Sequence, residues 1–590
     1  MAVFAVPCLL AQSGGDAVYQ KRCAQCHDHP DGRTPPKDTL NRLSTTRIMR
    51  TLDFGVMMSI AYPMKRDERE AVAGYLGTKT QDAPPPAAAF CADRTVKLGP
   101  PAPSDWNGWS PTLTNARYQT SAAAGISLDQ LKGLKLKWAF GFDGDVTAFS
   151  QPTIIGGYLF TGSAGGRIYS LSASTGCIHW FYEANGPVRT ALVSAPLGAK
   201  HALMFSDQTG WVYAIEAETG KQLWKKRIED HEATRLTGSP VVYRDVVYIP
   251  ASSWEETRAT NAEYECCTFR GSLTALRVKD GSVVWKTYMI DPPHATTKNK
   301  VGTQMYGPSG AGIWAAPTID GKRGVLYVAT GDNYSTPATQ TSDAIVAMDL
   351  KTGKIAWSRQ TTPNDAYNSS CGPAGPSCPE EKGPDFDYGS SVILSQVNGR
   401  DTLFAGQKSA VVYALDPDKK GEILWQARVG RGSATGGVQW GMATDGQRIY
   451  ASVSDTVRVR GALDPQQGGG ITALRMNDGG AAWHMEGTPC DPPKPGCSPA
   501  QSAALTAIPG AVFSGSLDGH MRAFSAEDGK VLWDFDTARD FQTVNGSKAH
   551  GGSMDGPGAV IVNGMLYVNS GYPRFGGMPG NVLLAFEAPK

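Results

Sequence analysis

The sequence lacks long apolar runs and a basic stripe. After its first residues, no stretch approaches the roughly 18 to 20 apolar residues that a membrane-spanning helix needs, so we expect a soluble protein that does not span a membrane. The formal net charge is only +1, and no Lys/Arg stripe with interleaved aromatic residues is present. The low net charge and the lack of a basic stripe argue against nucleic acid as a partner.

Sustained helical periodicity is also missing. After about residue 135 no helical pattern continues beyond one or two turns, whereas 68 glycines and 39 prolines punctuate the chain. Such a pattern is typical of an all-β protein with many turns.

The chain starts with a segment that resembles a secretory signal. Met1 to Ala11 are uncharged and mostly apolar, and a polar run follows from Gln12 to Asp16. The basic region that normally precedes the apolar core is absent, because the first Lys or Arg is Lys21. We interpret residues 1–15 as the remnant of a signal peptide and leave the true start open.

Cysteine usage points to the same compartment. Two short segments in Pro/Gly-rich regions, 371–378 and 490–497, begin and end with cysteine, and Cys266–Cys267 are adjacent. Short closed loops of this kind favour disulfide bonds in an oxidising compartment. With the signal-like start, this predicts the periplasm. The partners of Cys91 and Cys177 stay open.

A tryptophan motif recurs from residue 134 onwards, with the pattern apolar-Ala-apolar-x-x-x-(Thr/Asp)-Gly-x-x-x-Trp. Seven full copies end at Trp180, Trp224, Trp285, Trp357, Trp425, Trp483 and Trp533. An eighth copy is split, because Leu583–Phe586 supplies its Ala half and Leu136–Trp138 its Trp half. Copies of this length have the size of four-stranded propeller blades, so we predict an eight-bladed β-propeller that closes when the two chain ends pair.

A haem-attachment motif precedes these repeats. Cys23, Cys26 and His27 form C-x-x-C-H, in which two thiols bond to the porphyrin and the imidazole binds iron. Zinc is a poorer match because it needs two further ligands, and the only close candidate is His29. The motif therefore predicts haem c.

The second axial ligand should be a methionine on a loop some 30 residues further on. We favour Met57, with Met58 as the alternative. Met64 directly precedes the last helix of this region, where an apolar residue usually acts as a packing staple. A Met/His pair raises the haem potential, which suits an electron acceptor.

These signals divide the chain into four parts. We predict the signal remnant (1–15), a small all-α cytochrome c domain (16–80), a Pro/Ala linker (81–92) that contains QDAPPPAAA, and the propeller (93–590).

The tryptophan repeat, from Trp106 in WNGWSPTLTNARYQ to the C-terminus, resembles that of alcohol dehydrogenases that depend on pyrroloquinoline quinone (PQQ). With the cytochrome placed first, the chain is most similar to the polyvinyl alcohol dehydrogenases among these quinohaemoproteins. The resemblance implies an oxidoreductase with PQQ, haem c and calcium that oxidises secondary alcohol groups, foremost those of polyvinyl alcohol, and passes electrons to cytochrome c. Another alcohol or aldehyde stays open as the substrate. A non-catalytic scaffold propeller would leave the cytochrome motif unexplained.

The same resemblance implies the quinone site. Cys266–Cys267 would form a disulfide ring on one face of the quinone, and Trp314 would stack on the other. PQQ has three carboxylates and two carbonyls that need charged or polar donors. Arg189, Thr237 and Lys408 match family positions for these contacts, and Lys408 corresponds to the cation that polarises the reactive carbonyl.

The calcium ligands would be oxygen atoms. Glu255 matches the carboxylate ligand of the family, with Glu256 and Glu265 as alternatives. The Asn ligand of the family aligns with Asp332, and Asn333 is one residue away.

Asp387 is the predicted general base and a further calcium ligand. The family segment T-P-x-D-x-W-D-Y starts at Thr362 and, after the 371–378 loop, resumes at Phe386. Relatives that use lanthanides carry a second Asp two residues beyond the base, where this chain has Gly389. The resemblance therefore favours calcium.

Overall fold

The computed structural model describes residues 10–30, 34–55, 57–61, 64–79, 82–372, 375–380 and 382–589. The chain divides into two compact units, residues 1–87 and 88–590. Residues 1–9 of the predicted signal remnant lie outside the described residues. No helix in the described ranges combines the length and the apolar character that crossing a membrane requires.

The N-terminal unit is helical. Its helices are Leu10–Arg22, Ala24–His27, Lys37–Leu40, Thr45–Phe54, Met58–Ala61 and Arg66–Leu76. Apolar side chains from the first, fourth and last of these helices, among them Tyr19, Ile48, Leu52 and Val72, are buried together. The haem motif begins at the end of the first helix and includes the second.

In the described residues, the C-terminal unit contains seven antiparallel sheets of four strands and one of five, which we number as blades 1 to 8; the fifth strand is Thr234–Arg235, which extends blade 3. Their strands are Thr153–Ile155, Tyr158–Gly162, Arg167–Ser172 and Ile178–Glu183 (blade 1); Val193–Leu197, Lys200–Ser206, Trp211–Glu216 and Gln222–Arg227 (blade 2); Val241–Tyr243, Val246–Ser253, Ser272–Arg277 and Val283–Tyr288 (blade 3); Thr318–Asp320, Val325–Ala329, Ala344–Asp349 and Ile355–Gln360 (blade 4); Ile393–Val397, Arg400–Gly406, Val411–Asp416 and Glu422–Arg428 (blade 5); Ala443–Thr444, Arg448–Ser452, Gly470–Arg475 and Ala481–Glu486 (blade 6); Thr506–Ile508, Ala511–Gly515, His520–Ser525 and Val531–Asp536 (blade 7); and Val560–Val562, Met565–Ser570, Val582–Glu587 and Lys135–Gly141 (blade 8). The predicted eight-bladed propeller is confirmed.

Shorter elements lie outside the four main strands of each blade. They are the helices Ser121–Ala124, Leu128–Leu131 and Glu255–Arg258, the 3-10 turns Ala87–Ala89, Ser369–Cys371, Pro417–Lys419 and Arg574–Gly576, and the short strands Thr234–Arg235, His294–Lys298, Gln304–Gly307, Ser309–Gly310, Asn333–Ser335, Arg458–Val459, Ala462–Leu463, Asp540–Phe541 and Ala549–His550.

Blade 8 joins the two ends of the propeller sequence. Lys135–Gly141 pairs antiparallel with Val582–Glu587, so that Lys135 lies opposite Glu587 and Gly141 opposite Val582. The sheet therefore takes its outer strand from the start of the propeller and its other three strands from the end, as the split motif predicts. This pairing completes the eighth sheet and closes the ring of blades.

The motif tryptophans bind each blade to the next one. The indole Nε1 of Trp180 in blade 1 donates to the Ala217 carbonyl of blade 2 at 3.0 Å. Gly220, in the turn of blade 2, has a φ of +72° and lies against the same indole, where an added Cβ would stand 2.7 Å from a ring carbon. The motif needs glycine for both reasons, since only glycine tolerates this backbone and leaves room for the ring.

Replacing Gly220 with alanine should therefore destabilise the propeller by about 3 kcal/mol, the sum of a left-handed backbone cost and an overpacking cost. Gly157→Ala is the matched control, because Gly157 has a φ of +86° and nothing within 4 Å of an added Cβ. It should cost only about 1 kcal/mol. Urea unfolding followed by tryptophan fluorescence measures both. Equal losses would contradict the packing role of Gly220.

One segment crosses several blades from the inside. We call residues 106–123 the belt. It exchanges backbone hydrogen bonds with residues of the first strands of blades 1, 4, 5, 6 and 7 and with the first turn of blade 8, at Ile154, Ile319, Leu394, Thr444, Ala507 and Asn563. Arg117 of the belt is completely buried and donates to the carbonyls of Leu505 and Trp109. Burial lowers the pKa of Arg117 to about 9, still above neutral pH.

Candidate functional site

The predicted site residues lie at equivalent places in different blades. Arg189, Thr237 and Trp314 each precede the first strand of a blade by four residues, whereas Asp332 and Lys408 follow second strands. The first strands are buried and the fourth strands are half exposed, so the first strands lie innermost. Because the first and second strands are antiparallel, all these positions fall on one face near the centre.

Lys408 and two aspartates form the centre of the site. The Lys408 ammonium lies 2.6 Å from Asp387 Oδ2 and 2.8 Å from Asp385 Oδ1. The other oxygen of Asp387 accepts the backbone N–H of Asp332 at 2.7 Å. The predicted base and the predicted cation are therefore in direct contact.

Asp332 is a buried carboxylate without hydrogen-bond partners. Both of its oxygens are buried, and neither has a partner among the described residues. Burial, and then the charges of Asp387 and Asp385, raise the pKa of Asp332 well above its usual value. One oxygen each of Asp332, Asp385 and Asp387 lie within 4.8 Å of one another, which is a donor set that suits a hard cation. A cation here would offset the cost of burying these charges.

Lys408 stays charged despite its burial. Desolvation alone would lower its pKa, but the charges of Asp385, Asp387 and Glu256 raise the pKa well above its usual value. The same lysine lowers the pKa of Asp385, against the larger raising effect of burial. Lys408 therefore carries a fixed positive charge at the base.

Glu256 faces this cluster, whereas Glu255 faces away from it. Glu255 accepts hydrogen bonds from the backbone N–H groups of Thr268, at 2.8 and 2.9 Å, and Phe269, at 2.7 Å. For Glu256, burial and then the charge of Asp387 raise the pKa to about 7, and Lys408 lowers it. Glu265 is exposed. Of the three glutamates that the sequence offered, Glu256 is therefore the one that interacts with the aspartate cluster.

Asn333 is also occupied by local contacts. Its amide nitrogen donates to the Ser309 carbonyl at 2.9 Å, and its amide oxygen accepts the Thr339 N–H at 2.7 Å. Of the two neighbouring candidates, Asp332 is the one with uncommitted oxygens.

Trp314 lies beside the base and lines a cavity. Gly331 lies between the Trp314 ring and the Asp387 carboxylate. A Cβ added at Gly331 would clash with Asp387 and stand 2.9 Å from Trp314 Nε1. This indole nitrogen is buried and has no partner among the described residues. The residues around the cavity are Trp109, Phe149, Arg189, Thr237, Ser239, Trp314, Ala315, Ala316, Gly389, Trp440, Gly556 and Pro557. The cavity brings together three of the predicted quinone contacts.

Cys266 and Cys267 form a disulfide and are fully buried. Their side chains belong to a buried cluster that includes Tyr334. Burial and then the charges of Glu256 and Asp332 raise the pKa of Tyr334. The vicinal disulfide and Tyr334 therefore share one buried cluster, and neither cysteine is among the residues that surround the cavity of Trp314.

The other disulfides are Cys371–Cys378, Cys490–Cys497 and Cys91–Cys177. The first two are the predicted short loops. The third pairs the two cysteines whose partners the sequence left open, over a separation of 86 residues.

The haem motif keeps its thiols free. Cys23 and Cys26 form no disulfide, and the Nδ1 atom of His27 lies 2.7 Å from the Pro35 carbonyl. That contact leaves the Nε2 atom as the one for iron. Met57 is partly buried against the core of this unit, and Met64 is buried within it. These positions agree with Met64 as a packing residue.

Sequence reasoning missed Asp385, which contacts Lys408, and Trp440, which lines the cavity. Asp385 is two residues from the predicted base, so it could have been found by considering both neighbours of Asp387 on the same side of an extended chain. Trp440 precedes the first strand of blade 6, and no local pattern marks it.

Comparison with family models identifies both units. The model described as outer membrane protein assembly factor BamB matches residues 127–342 and 308–579. The model described as cytochrome C oxidase, cbb3-type, subunit III matches residues 11–76.

Curated relatives cover nearly the whole chain. A polyvinylalcohol dehydrogenase from a Pseudomonas species is 42% identical over 97% of this chain and 93% of its own length. A second, from a Sphingopyxis species, is 38% identical over 98% of this chain and 93% of its own length. Among solved structures, the quinohemoprotein alcohol dehydrogenase from Comamonas testosteroni has a TM-score of 0.59 at 17% identity and covers 82% of each chain, which shows the shared fold.

Proposed function

The chain belongs to the polyvinyl alcohol dehydrogenase family, and we propose that it oxidises secondary hydroxyl groups, foremost those of polyvinyl alcohol, in the periplasm. Membership makes it a PQQ- and haem c-dependent alcohol dehydrogenase. The observation that carries the proposal is the contact of Lys408 with Asp387 beside Trp314, next to the unpartnered carboxylate of Asp332.

The cavity residues suit a flat, anionic quinone. Trp314 supplies a ring face, Arg189 a guanidinium and Thr237 a hydroxyl. Bound PQQ would supply the acceptor for the hydrogen and electron pair that leave the alcohol. Trp314 would orient the ring, and Arg189 and Thr237 would hold its carboxylates.

Asp387 acts as the base in this proposal. Its carboxylate accepts the proton of the substrate hydroxyl, which favours loss of hydride from the carbinol carbon. Lys408 lies 2.6 Å from Asp387 and holds its carboxylate in place. The positive charge of Lys408 would also polarise the reactive carbonyl of the quinone. Asp385 fixes Lys408 from the other side.

Calcium is the metal we propose. Asp332, Asp387 and Glu256 would hold it through carboxylate oxygens, the ligands that calcium prefers. In the other unit, Cys23 and Cys26 would bond to the haem, and His27 and Met57 would bind its iron. That unit would accept electrons from the propeller and pass them to a separate cytochrome c.

The function is tested with protein matured in the periplasm with haem and loaded with PQQ and calcium. We expect both polyvinyl alcohol and small secondary alcohols to reduce the haem, which absorption spectra report directly. If no alcohol reduces the haem, the proposed dehydrogenase activity is contradicted. Reduction by small alcohols alone would remove the polymer from the proposal.

Metal binding should depend on Glu256 and not on Glu255. Glu256→Gln removes one ligand charge, so we expect calcium affinity to fall at least tenfold, as measured by calorimetry on the PQQ-loaded enzyme. Glu255→Gln is the matched control. It should lower the melting temperature, because Glu255 accepts buried backbone N–H groups, and leave calcium affinity nearly unchanged. If Glu255→Gln weakens calcium binding and Glu256→Gln does not, Glu255 is the calcium ligand.

A further inference from the structure

Arg117 of the belt is a buried cation whose hydrogen-bond acceptors are all neutral. Its Nη1 atom donates to the side-chain oxygen of Gln151 at 2.7 Å, and its Nη2 atom donates to the hydroxyl of Thr506 at 3.0 Å. The other acceptors are the carbonyls of Leu505 and Trp109. Within the described part of the chain, no aspartate or glutamate pairs with this guanidinium, and burial is what lowers its pKa. Arg117 therefore carries an unbalanced positive charge inside the protein.

This guanidinium lies directly behind the wall of the quinone cavity. Its central carbon is 4.6 Å from the centre of the Trp109 ring, and Trp109 lines the cavity. On another side, a Cβ added at Gly558 would stand 2.7 Å from Arg117 Nη2. Gly558 directly follows Gly556 and Pro557, which also line the cavity. The charge of Arg117 thus adjoins the cavity at two of its walls.

Two other cations of the site have carboxylates close to them. Lys408 contacts two aspartates. Arg189 lies near Asp555, because its charge acts against the raising effect of burial on the pKa of that carboxyl group. Of these three cations, Arg117 is the one whose charge no neighbouring carboxylate offsets.

The charge of Arg117 needs an explanation beyond its hydrogen bonds. Burying a charge without an opposite charge costs free energy. A neutral amide side chain could donate to the same kinds of oxygen atom, so tying the belt to blade 7 does not require a cation at position 117. An anion in the cavity would offset the cost of burial, because charges interact strongly where little water separates them.

The proposed reaction places negative charge on the cavity side of Trp109. The carbinol hydrogen leaves with two electrons as hydride and reaches the quinone, Asp387 takes the hydroxyl proton, and the alcohol becomes a ketone. The bound cofactor therefore gains one negative charge. A fixed positive charge nearby stabilises the reduced form of the cofactor more than the oxidised form.

We propose that Arg117, from behind the indole of Trp109, selectively stabilises the reduced form of PQQ and so raises the reduction potential of the bound cofactor. Arg117 acts through its charge and does not touch the cofactor. The proposal rests on the PQQ site described above and adds to it an element that the family resemblance does not assign.

Separate binding of oxidised and chemically reduced PQQ tests the proposal. Calorimetry on the haem-loaded, PQQ-free protein gives both dissociation constants without turnover. Arg117→Gln should weaken binding of reduced PQQ at least about tenfold more than binding of oxidised PQQ, which corresponds to a fall of about 30 mV for a two-electron couple. Arg117→Lys keeps the charge and should leave the ratio of the two constants close to that of the unchanged protein.

Two further variants separate charge from stability. Gln151→Glu places a carboxylate at the Nη1 atom of Arg117 and keeps the arginine, so it should change the ratio in the same direction even if Arg117→Gln does not fold. Arg522→Gln is the matched control, because Arg522 is also buried but pairs with Asp518 at 2.7 Å and does not line the cavity. It should lower the melting temperature and leave the ratio unchanged.

The ratio of the two dissociation constants decides the outcome. If Arg117→Gln or Gln151→Glu weakens both forms of PQQ equally, Arg117 has only a structural role and the proposal is overturned. It is also overturned if Arg117→Lys changes the ratio as much as Arg117→Gln does. Failure of the unchanged protein to bind either form of PQQ would instead contradict the proposed function itself.

Discussion

Asp387→Asn should lower kcat by about a thousandfold and leave PQQ binding nearly unchanged. The asparagine keeps the size of the side chain and an oxygen for the Asp332 N–H, but it cannot take the substrate proton. General bases typically contribute about 10² to 10⁴ to the rate. Steady-state oxidation of a secondary alcohol measures the loss, and tryptophan quenching by PQQ measures retention of the cofactor.

Asp385→Asn is the informative comparison for this variant. It removes one of the two carboxylates that hold Lys408 but leaves the base itself, so we expect a loss of only about tenfold in kcat. An Asp387→Asn enzyme that keeps its activity would show that another group removes the proton. Equal losses in both variants would mean that the cluster acts mainly by positioning Lys408.

Removing both haem thiols should separate the two half-reactions. In the Cys23→Ala/Cys26→Ala variant we expect no covalent haem, because no thiol remains to bond to the porphyrin. Added alcohol should still bleach the oxidised PQQ spectrum once per molecule, but reduction of an external cytochrome should fall at least a hundredfold. Single-turnover spectra and acceptor reduction report these two quantities separately.

His29→Ala is the control for the haem variant. His29 lies two residues from the motif and is exposed, so its loss should change neither haem content nor turnover. Normal turnover with an external cytochrome in the thiol-free variant would show that the propeller reduces its acceptor directly. The N-terminal unit would then have another role.

The repeat architecture was predictable because it rests on local rules. A glycine turn followed by a tryptophan marks each blade, and the ring requires the eighth copy to be assembled from both ends. The contact between Gly220 and Trp180 explains why this motif is so regular. The positive φ of Gly220 and the adjacent indole ring allow only glycine at this position. The haem motif was predictable for the same reason, because Cys23, Cys26 and His27 are neighbours in the sequence.

The details of the site were less predictable because its residues meet only in space. Glu255 and Glu256 are adjacent in the chain, and the choice depends on backbone N–H groups at Thr268 and Phe269, beyond an intervening loop. The Arg189 guanidinium lies 4.1 Å from the ring of Trp440, which is 251 positions later in the chain. Neither relation leaves a periodic signal.

The belt sets an order of events during synthesis of the chain. Its residues leave the ribosome before any blade, yet their hydrogen-bond partners extend to Asn563, and the outer strand of blade 8 waits for Val582–Glu587. The ring is therefore complete only when almost the entire chain has emerged, and such distant contacts form slowly. The propeller can thus close around PQQ only after synthesis of its last strands.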